Sequence, residues 1–259
     1  GWGLSAGRAP GDLDVAQAAS DATRRATRML GARKPASMKC TAVFDARSAA
    51  TLLAIIGGSL SGEAVVRGRS FFANRLGEEV AASSFTVLDD PTDPRHFSAS
   101  VYDGEGLACR RNVLIERGRL SAFVYDTVSA RRAGTASTGS AVRGGIAGSP
   151  SAGCRALQLV PGELNQAEIF ERVANGIYVE SLTGVHSGVN PVSGDFSVGV
   201  TGMMIRDGEL AEPVREITVA STLQRMLLDV EFVGNDVEWL PGHAAGQSLA
   251  VSGISVSGV

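Results

Sequence analysis

The sequence predicts an α+β fold: a mostly antiparallel, strongly bent, barrel-like β-sheet with several packed helices. Three observations carry this. Helical periodicity is concentrated between residues 12 and 60. From Phe85 onward the apolar period shifts to two, in short runs broken by turn residues. Glycine is also frequent: 32 of 259 residues, about 12% against ~7% in ordinary proteins. It is spread through apolar, alternating sequence with no Gly-X-Y period, as turns, bulges and close backbone contacts require.

Taken in order, Asp12 to Leu30 places Val15, Ala18, Ala19, Ala22, Ala26, Met29 and Leu30 near helical spacing, with Asp12 or Asp14 as cap and Gly31 as stop. A short strand, Thr41 to Phe44, follows. Asp45 then reads as the N-cap of a helix from Ala46 to about Leu60, apolar nearly all round and therefore buried. Phe85 to Leu88 alternates and ends at the polar break Asp89-Asp90-Pro91. Asn112–Glu116 and Leu120–Tyr125 read as strands joined across Arg117-Gly118. Gly134 to Gly153 has no period and reads as a long, partly mobile loop, whose length makes it a functional candidate. Asn165 and Glu168 form a capping box for a helix to Ala174, with Gly176 at its end. Ile177–Leu182 and Asp195–Ile205 are strands, and Asp207-Gly208 signals a type I′ turn. An apolar stripe at Ile217, Ala220, Leu223, Leu227 and Leu228 predicts a helix from Val214 to about Asp229, and Gly242–Val259 reads as a final strand or two.

Length suits one large domain or two small ones, and 44% hydrophobic content with 20% charge excludes a disordered chain. A net charge of −3 gives no general basic face for nucleic acid. There is no run of 18 apolar residues and no signal peptide, so neither a membrane nor secretion is expected. Cys40, Cys109 and Cys154 are an odd, dispersed set, read as reduced thiols of a cytoplasmic protein. The chain begins Gly-Trp-Gly-Leu, consistent with a piece of a longer protein.

Catalytic signals are sparse. His96, His186 and His243 include no pair one helical turn apart, so the sequence predicts no metal site. Gly57-Gly58-Ser59-Leu60-Ser61-Gly62 and Gly148-Ser149-Pro150 are poor matches to a nucleophile elbow, and Val142-Arg143-Gly144-Gly145 lacks the spacing of a phosphate loop. What remains is the polar, glycine-rich stretch from Thr183 to Ser197. Within it His186, Asn190, Ser193 and Asp195 are candidate peptide-binding residues, with Asn190 suited to a left-handed position and Asp195 to accepting backbone N–H groups. His186 with Asp195 as an acid–base pair is a weaker reading. Asp103-Gly104-Glu105-Gly106 followed by Arg110-Arg111 reads as a salt-bridged turn.

These residues carry a resemblance. Leu182 to Asn190, Ser193-Gly194-Asp195-Phe196-Ser197 and Asp207-Gly208-Glu209 are similar to the C-terminal part of the TldD/PmbA family. So are Asp89-Asp90-Pro91, Asp103 to Gly106, Ser129-Ala130-Arg131 and Thr138-Gly139…Arg143, in the same order from about Leu13 to the C-terminus. The resemblance implies that residues 1–259 are one C-terminal-type domain, with 1–40 a helical lead-in and the family's N-terminal domain outside this chain. It also implies cytoplasmic, peptide-degrading assemblies of two related subunits. One is TldD-like and holds zinc through a helical HExxxH motif and a late cysteine; the other is PmbA-like and lacks them.

In this sequence Ala54 and Ser59 occupy the places of the two histidines and Ile55 that of the glutamate, while Pro241 to Gln247 contains His243 but no cysteine. The resemblance therefore implies a PmbA-like subunit with no catalytic residue, no metal ligand and no cofactor of its own. Its expected partners are a zinc-bearing, HExxxH-containing TldD-like subunit and unfolded peptides, captured on edge strands of the glycine-rich β region. The alternative is a stand-alone, homodimeric binding or scaffold protein. Neither nucleic acid nor membrane is an expected partner.

Overall fold

A computed structural model describes residues 1–258. After a 3₁₀ turn (Pro10–Asp12), the elements run α1 (Val15–Arg28), β1 (Met38–Phe44), α2 (Ala46–Ser59), α3 (Gly62–Val66) and β2 (Val87–Asp89). Next come β3 (Asn112–Glu116), β4 (Arg119–Leu120), α4 (Thr127–Ala133), β5 (Ala141–Val142), β6 (Ser151–Ala152), β7 (Leu157–Leu159) and α5 (Gln166–Val173). The chain ends with β8 (Gly176–Thr183), α6 (Val185–Gly188), β9 (Asp195–Arg206), β10 (Glu209–Thr222), α7 (Leu223–Leu228), β11 (Val230–Val233) and β12 (Leu249–Ser257).

The largest sheet has the order β1-β8-β9-β10-β12, and β12 pairs back onto β1, so five strands close into a barrel with β11 added against β12. Only the β1–β8 pairing is parallel; the others are antiparallel. This is the bent, mostly antiparallel α+β architecture that the alternation predicts. Along β9 burial alternates, placing Phe196, Val198 and Val200 inside. Register shifts in β1, β8 and β10 supply the bends that closure needs. Gly202 is obligatory at one of them, because a Cβ there would lie 1.9 Å from the Tyr178 carbonyl oxygen.

A second sheet, β4-β3-β2-β7, stands apart. α2 touches β1 and β8 of the barrel and β7 of this sheet, so Leu52, Leu53 and Ile56 join both layers in one core with Phe44, Phe72, Phe85 and Phe196. The Asp207-Gly208 and Arg117-Gly118 turns have φ of 50° and 83°, and 47° and 83°, the left-handed pairs of type I′ hairpins.

Several elements differ from the sequence expectation. Val214–Asp229 is not one helix: β10 continues to Thr222, and only Leu223–Leu228 is helical. Ile217 and Val219 point inward on a period of two, and the β-branched run Ile217-Thr218-Val219 favours the strand. The strand expected at Leu120–Tyr125 shrinks to Arg119–Leu120, because Ser121 and Ala122 both donate back to the Leu114 carbonyl. Gly134–Gly153 is not a free loop. It contains the β5–β6 hairpin, and Asp103 fastens it by accepting the Ala141 amide at 3.0 Å. α5 has the expected capping box and ends at Ala174 (φ 56°) as expected, but Gly176, read as its stop, instead opens β8. The expected C-terminal strand is β12, with Val259 outside the described residues.

Candidate functional site

α2 begins at Asp45, whose Oδ1 accepts the Ser48 amide at 2.7 Å. Burial pushes this carboxyl upward, against the Ser48 hydrogen bonds and the charges of Arg25 and Arg47. One side of the helix is core; the other carries Arg47, Ala50, Thr51, Ala54, Gly57 and Gly58, and Ser61 follows one turn on. Two open cavities of about 510 and 440 Å³ flank this face, and they meet at Ala54 and His243.

The larger cavity is walled by Glu63, Ala64, Arg67 and Arg69 on one side and by Ala152, Gly153, Cys154 and Leu157 on the other. The smaller one adds Leu4, Leu240, Pro241 and Ala244. The result is a groove whose floor, at Ala54, Gly57 and Gly58, has no side chain larger than a methyl group. At Gly57 a Cβ would crowd the buried Leu157 side chain, 2.4 Å from its Cδ1, whereas one on Gly58 would meet nothing within 4 Å.

The positions matching the zinc motif do not converge. Ala54 is exposed in the groove, Ile55 packs partly buried against the core, and Ser59 is buried. Residues five apart on a regular α-helix stand about 140° from one another, so Ala54 and Ser59 look in different directions. Ser59 instead gives its carbonyl to the Ser70 hydroxyl at 2.6 Å. His243 is exposed beside Ala54, with Nδ1 3.3 Å from the Arg155 carbonyl. The Cys154 thiol donates to the Gly57 carbonyl at 3.6 Å, and burial holds it well above the usual thiol range. Glu63 is held by Arg67 at 2.7 Å. Among the described residues no group of three or more His, Cys, Asp or Glu stands together for a metal. These donors do not fit a zinc ion of the kind the family's motif holds.

The peptide-binding candidates lie on the β8–β9 connection, where His186 is on α6 and Asn190, Ser193 and Asp195 follow. All four are exposed, and none of them lines the groove. Asn190 is not left-handed; its Oδ1 accepts the Val192 and Ser193 amides, and Gly194 takes the positive φ. Asp195 accepts the Ser193 hydroxyl at 2.6 Å rather than backbone amides, and among the described residues it makes no bond to His186. The region also lacks a free strand edge, since β8 is paired to β1 and β9, and β9 to β8 and β10.

The Asp103–Arg111 turn is not closed by its own arginines. Asp103 accepts the Glu105, Leu107 and Ala141 amides, Glu105 takes the Thr127 amide and hydroxyl, and Arg110 donates to the Ser137 and Thr138 carbonyls. His96 is buried edge-on against Trp239, with centroids 4.8 Å apart, and burial lowers its pKa.

Residues 37–258 match the family described as the PmbA/TldA metallopeptidase C-terminal domain. The chain belongs to the TldD/PmbA family. Metalloprotease PmbA of Escherichia coli O157:H7 is 30% identical over 238 residues, covering 92% of this chain and 50% of that protein. A metalloprotease TldD homolog of Buchnera aphidicola is 29% identical over 184 residues, covering 71% of this chain and 38% of that one. The crystal structure of TldE from Thermococcus kodakarensis superposes with a TM-score of 0.87 at 25% identity, covering 95% of this chain and 56% of that one. This TldD/PmbA domain is PmbA/TldE-like, and it spans about half the length of the PmbA and TldE proteins it matches.

Of this groove, the sequence points to the floor, through the rewritten motif on α2, and to His243. Arg67, Arg69 and Cys154 escape it, while Gly153 ends the Gly134–Gly153 stretch that the sequence marks as a functional candidate. For the first two a signal exists: Gly68, flanked by the two arginines, closes α3 as a left-handed C-terminal cap (φ 65°).

Proposed function

We propose that this chain is a non-catalytic PmbA/TldE-like subunit of a cytoplasmic, zinc-dependent peptide-degrading complex, and that its groove along α2 binds unfolded peptide. The observation that carries the reading is the groove's chemistry. Zinc hydrolysis needs three protein ligands, an open coordination position and a base for the attacking water. Here α2 offers Ala54, Gly57 and Gly58, the Cys154 thiol is held protonated, and the Glu63 carboxylate is engaged by Arg67. Small side chains suit peptide binding instead, because they let the main chain of an extended ligand come close to the floor irrespective of its sequence.

In this reading catalysis belongs to a TldD-like, HExxxH-bearing partner, and the present chain shapes the chamber in which peptide is presented. The similarity to both PmbA/TldE-like and TldD-like relatives supports such a pairing.

Reconstitution tests it. The full-length protein alone is expected to carry no stoichiometric zinc and to leave an unstructured peptide intact; mixed with its TldD-like relative, it is expected to co-elute and to raise cleavage. Zinc-dependent cleavage by the protein alone would overturn the proposal. A stable homodimer indifferent to the TldD-like protein would replace it with the scaffold reading.

A further inference from the structure

The larger cavity of the groove has an electrostatic character that the whole chain does not share. The chain carries 24 Lys and Arg against 27 Asp and Glu, yet this cavity is walled by Arg67, Arg69 and His243 against the single carboxylate Glu63. Glu63 is neutralised by Arg67. Arg69 makes no side-chain hydrogen bond or ion pair among the described residues, so its five donors are free to face the cavity.

Its backbone, by contrast, is fixed on both sides. Gly68 donates to the Val65 carbonyl at 3.0 Å and Arg69 to the Ala64 carbonyl at 2.8 Å, the two bonds of a Schellman cap. The next residue, Ser70, is buried, with its hydroxyl on the Ser59 carbonyl at 2.6 Å, tying the turn to the end of α2. Arg69 is exposed at the cavity, and its unpaired guanidinium, carried on a backbone fixed by the turn, offers the planar fork that matches a bidentate anion such as a carboxylate.

We infer that Arg69 recognises a carboxylate on the bound peptide, so that the groove selects acidic peptides or free C-termini. The inference rests on the peptide-binding reading of the groove and adds the chemical class of ligand. Gly58 leaves the open floor that lets a carboxylate-bearing segment lie against the arginines without a side chain intervening. The remaining rim cation, Arg47 of the smaller cavity, lies over the Trp2 ring at 4.0 Å.

Four fluorescein-labelled, unstructured Gly/Ser/Ala decapeptides separate the sources of the carboxylate: one with a free C-terminus, one amidated, one amidated with an internal Glu, and one amidated with Gln there. Anisotropy titrations of the full-length protein are expected to show about tenfold tighter binding of an acid-bearing peptide than of its amide counterpart. The gain should shrink at high salt. Arg69→Gln should erase the preference, Arg69→Lys should keep part of it, and Arg24→Gln on α1 should leave it whole. Preference for the free terminus alone, or for Glu alone, fixes which carboxylate is read, and both support the inference. Equal affinity for acid and amide peptides, or a preference that survives Arg69→Gln, would overturn it while leaving the groove reading intact. Failure of all four peptides to bind would remove both.

Discussion

Asp89 closes β2 with no exposed surface, and its Oδ1 accepts the Arg155 and Ala156 amides at 2.8 and 2.7 Å. Those amides immediately follow Cys154, so a buried carboxylate in the second sheet fixes the segment between β6 and β7 that forms one wall of the groove. Its Oδ2 has no partner, and burial raises the pKa despite the two amides and the Arg155 charge. The native form therefore holds its proton to higher pH than the unfolded chain, whose Asp titrates near ~3.9. The associated stability is fully present below that value and is lost as pH rises through the native pKa. Asp89→Asn keeps the acceptor for both amides and removes the buried charge. Urea melts between pH 4 and 8 should show it at least as stable as the wild type at pH 7, with a flatter pH dependence. Asp89→Ala strands both amides and should lose about 1–3 kcal/mol per unsatisfied group. An Asp89→Asn protein markedly less stable than wild type at pH 7 would mean that the charged form is the native one.

At the scale of elements, α2 contains two adjacent glycines with opposite constraints. Helical glycine costs roughly 0.5–1 kcal/mol relative to alanine, so a packing or functional reason is needed to keep it. Gly57 has a packing reason in Leu157 Cδ1; Gly58 faces open space and has none. Gly58→Ala should raise Tm by about 2–4 °C while weakening peptide binding in the groove. Gly57→Ala should lower Tm through overpacking against Leu157. Calorimetry paired with the anisotropy titration checks both, and a Gly58→Ala protein that is more stable and binds unchanged would show that the floor is not a contact surface.

The same contrast explains what can be read from the sequence. α2 is legible because its cap, Asp45, and its apolar run are local, and α5 because Asn165 and Glu168 satisfy each other three residues apart. β10 reads as a helix because Ile217, Leu223 and Leu227 also fit a helical stripe, and only pairing with β9 and β12 decides for the strand. The groove is half legible: its floor lies on one helix, but its walls come from residues 63–69, 152–157 and 240–244, which only the tertiary fold assembles.

For the whole molecule, barrel closure divides the chain into parts of unequal stability. β8, β9 and β10 each have a neighbour on both sides, and the barrel has no open edge along them. α1 is at the other extreme, for none of its residues is buried. It is held by Trp2 stacked between Arg25 and Arg47, with guanidinium carbons 3.7 and 4.0 Å from the ring centroid, and by the Arg28–Glu180 ion pair against β8. The cation–π contacts contribute on the order of 1 kcal/mol each, and the ion pair joins a half-buried Arg28 to the buried Glu180, whereas β9 is fixed by the burial of Phe196, Val198 and Val200. Native-state hydrogen exchange should therefore find α1 opening locally, with its amides exchanging well before the rest, while β9 and β10 exchange only with global unfolding. Trp2→Ala should speed α1 further and leave β9 unchanged. Because Leu4 forms part of the smaller cavity's wall, loosening this segment should also lower peptide affinity without lowering the stability of the barrel. Exchange of α1 as slow as that of β9 would mean that helix and barrel unfold as one unit, and that the end of the groove next to Leu4 is as rigid as its floor.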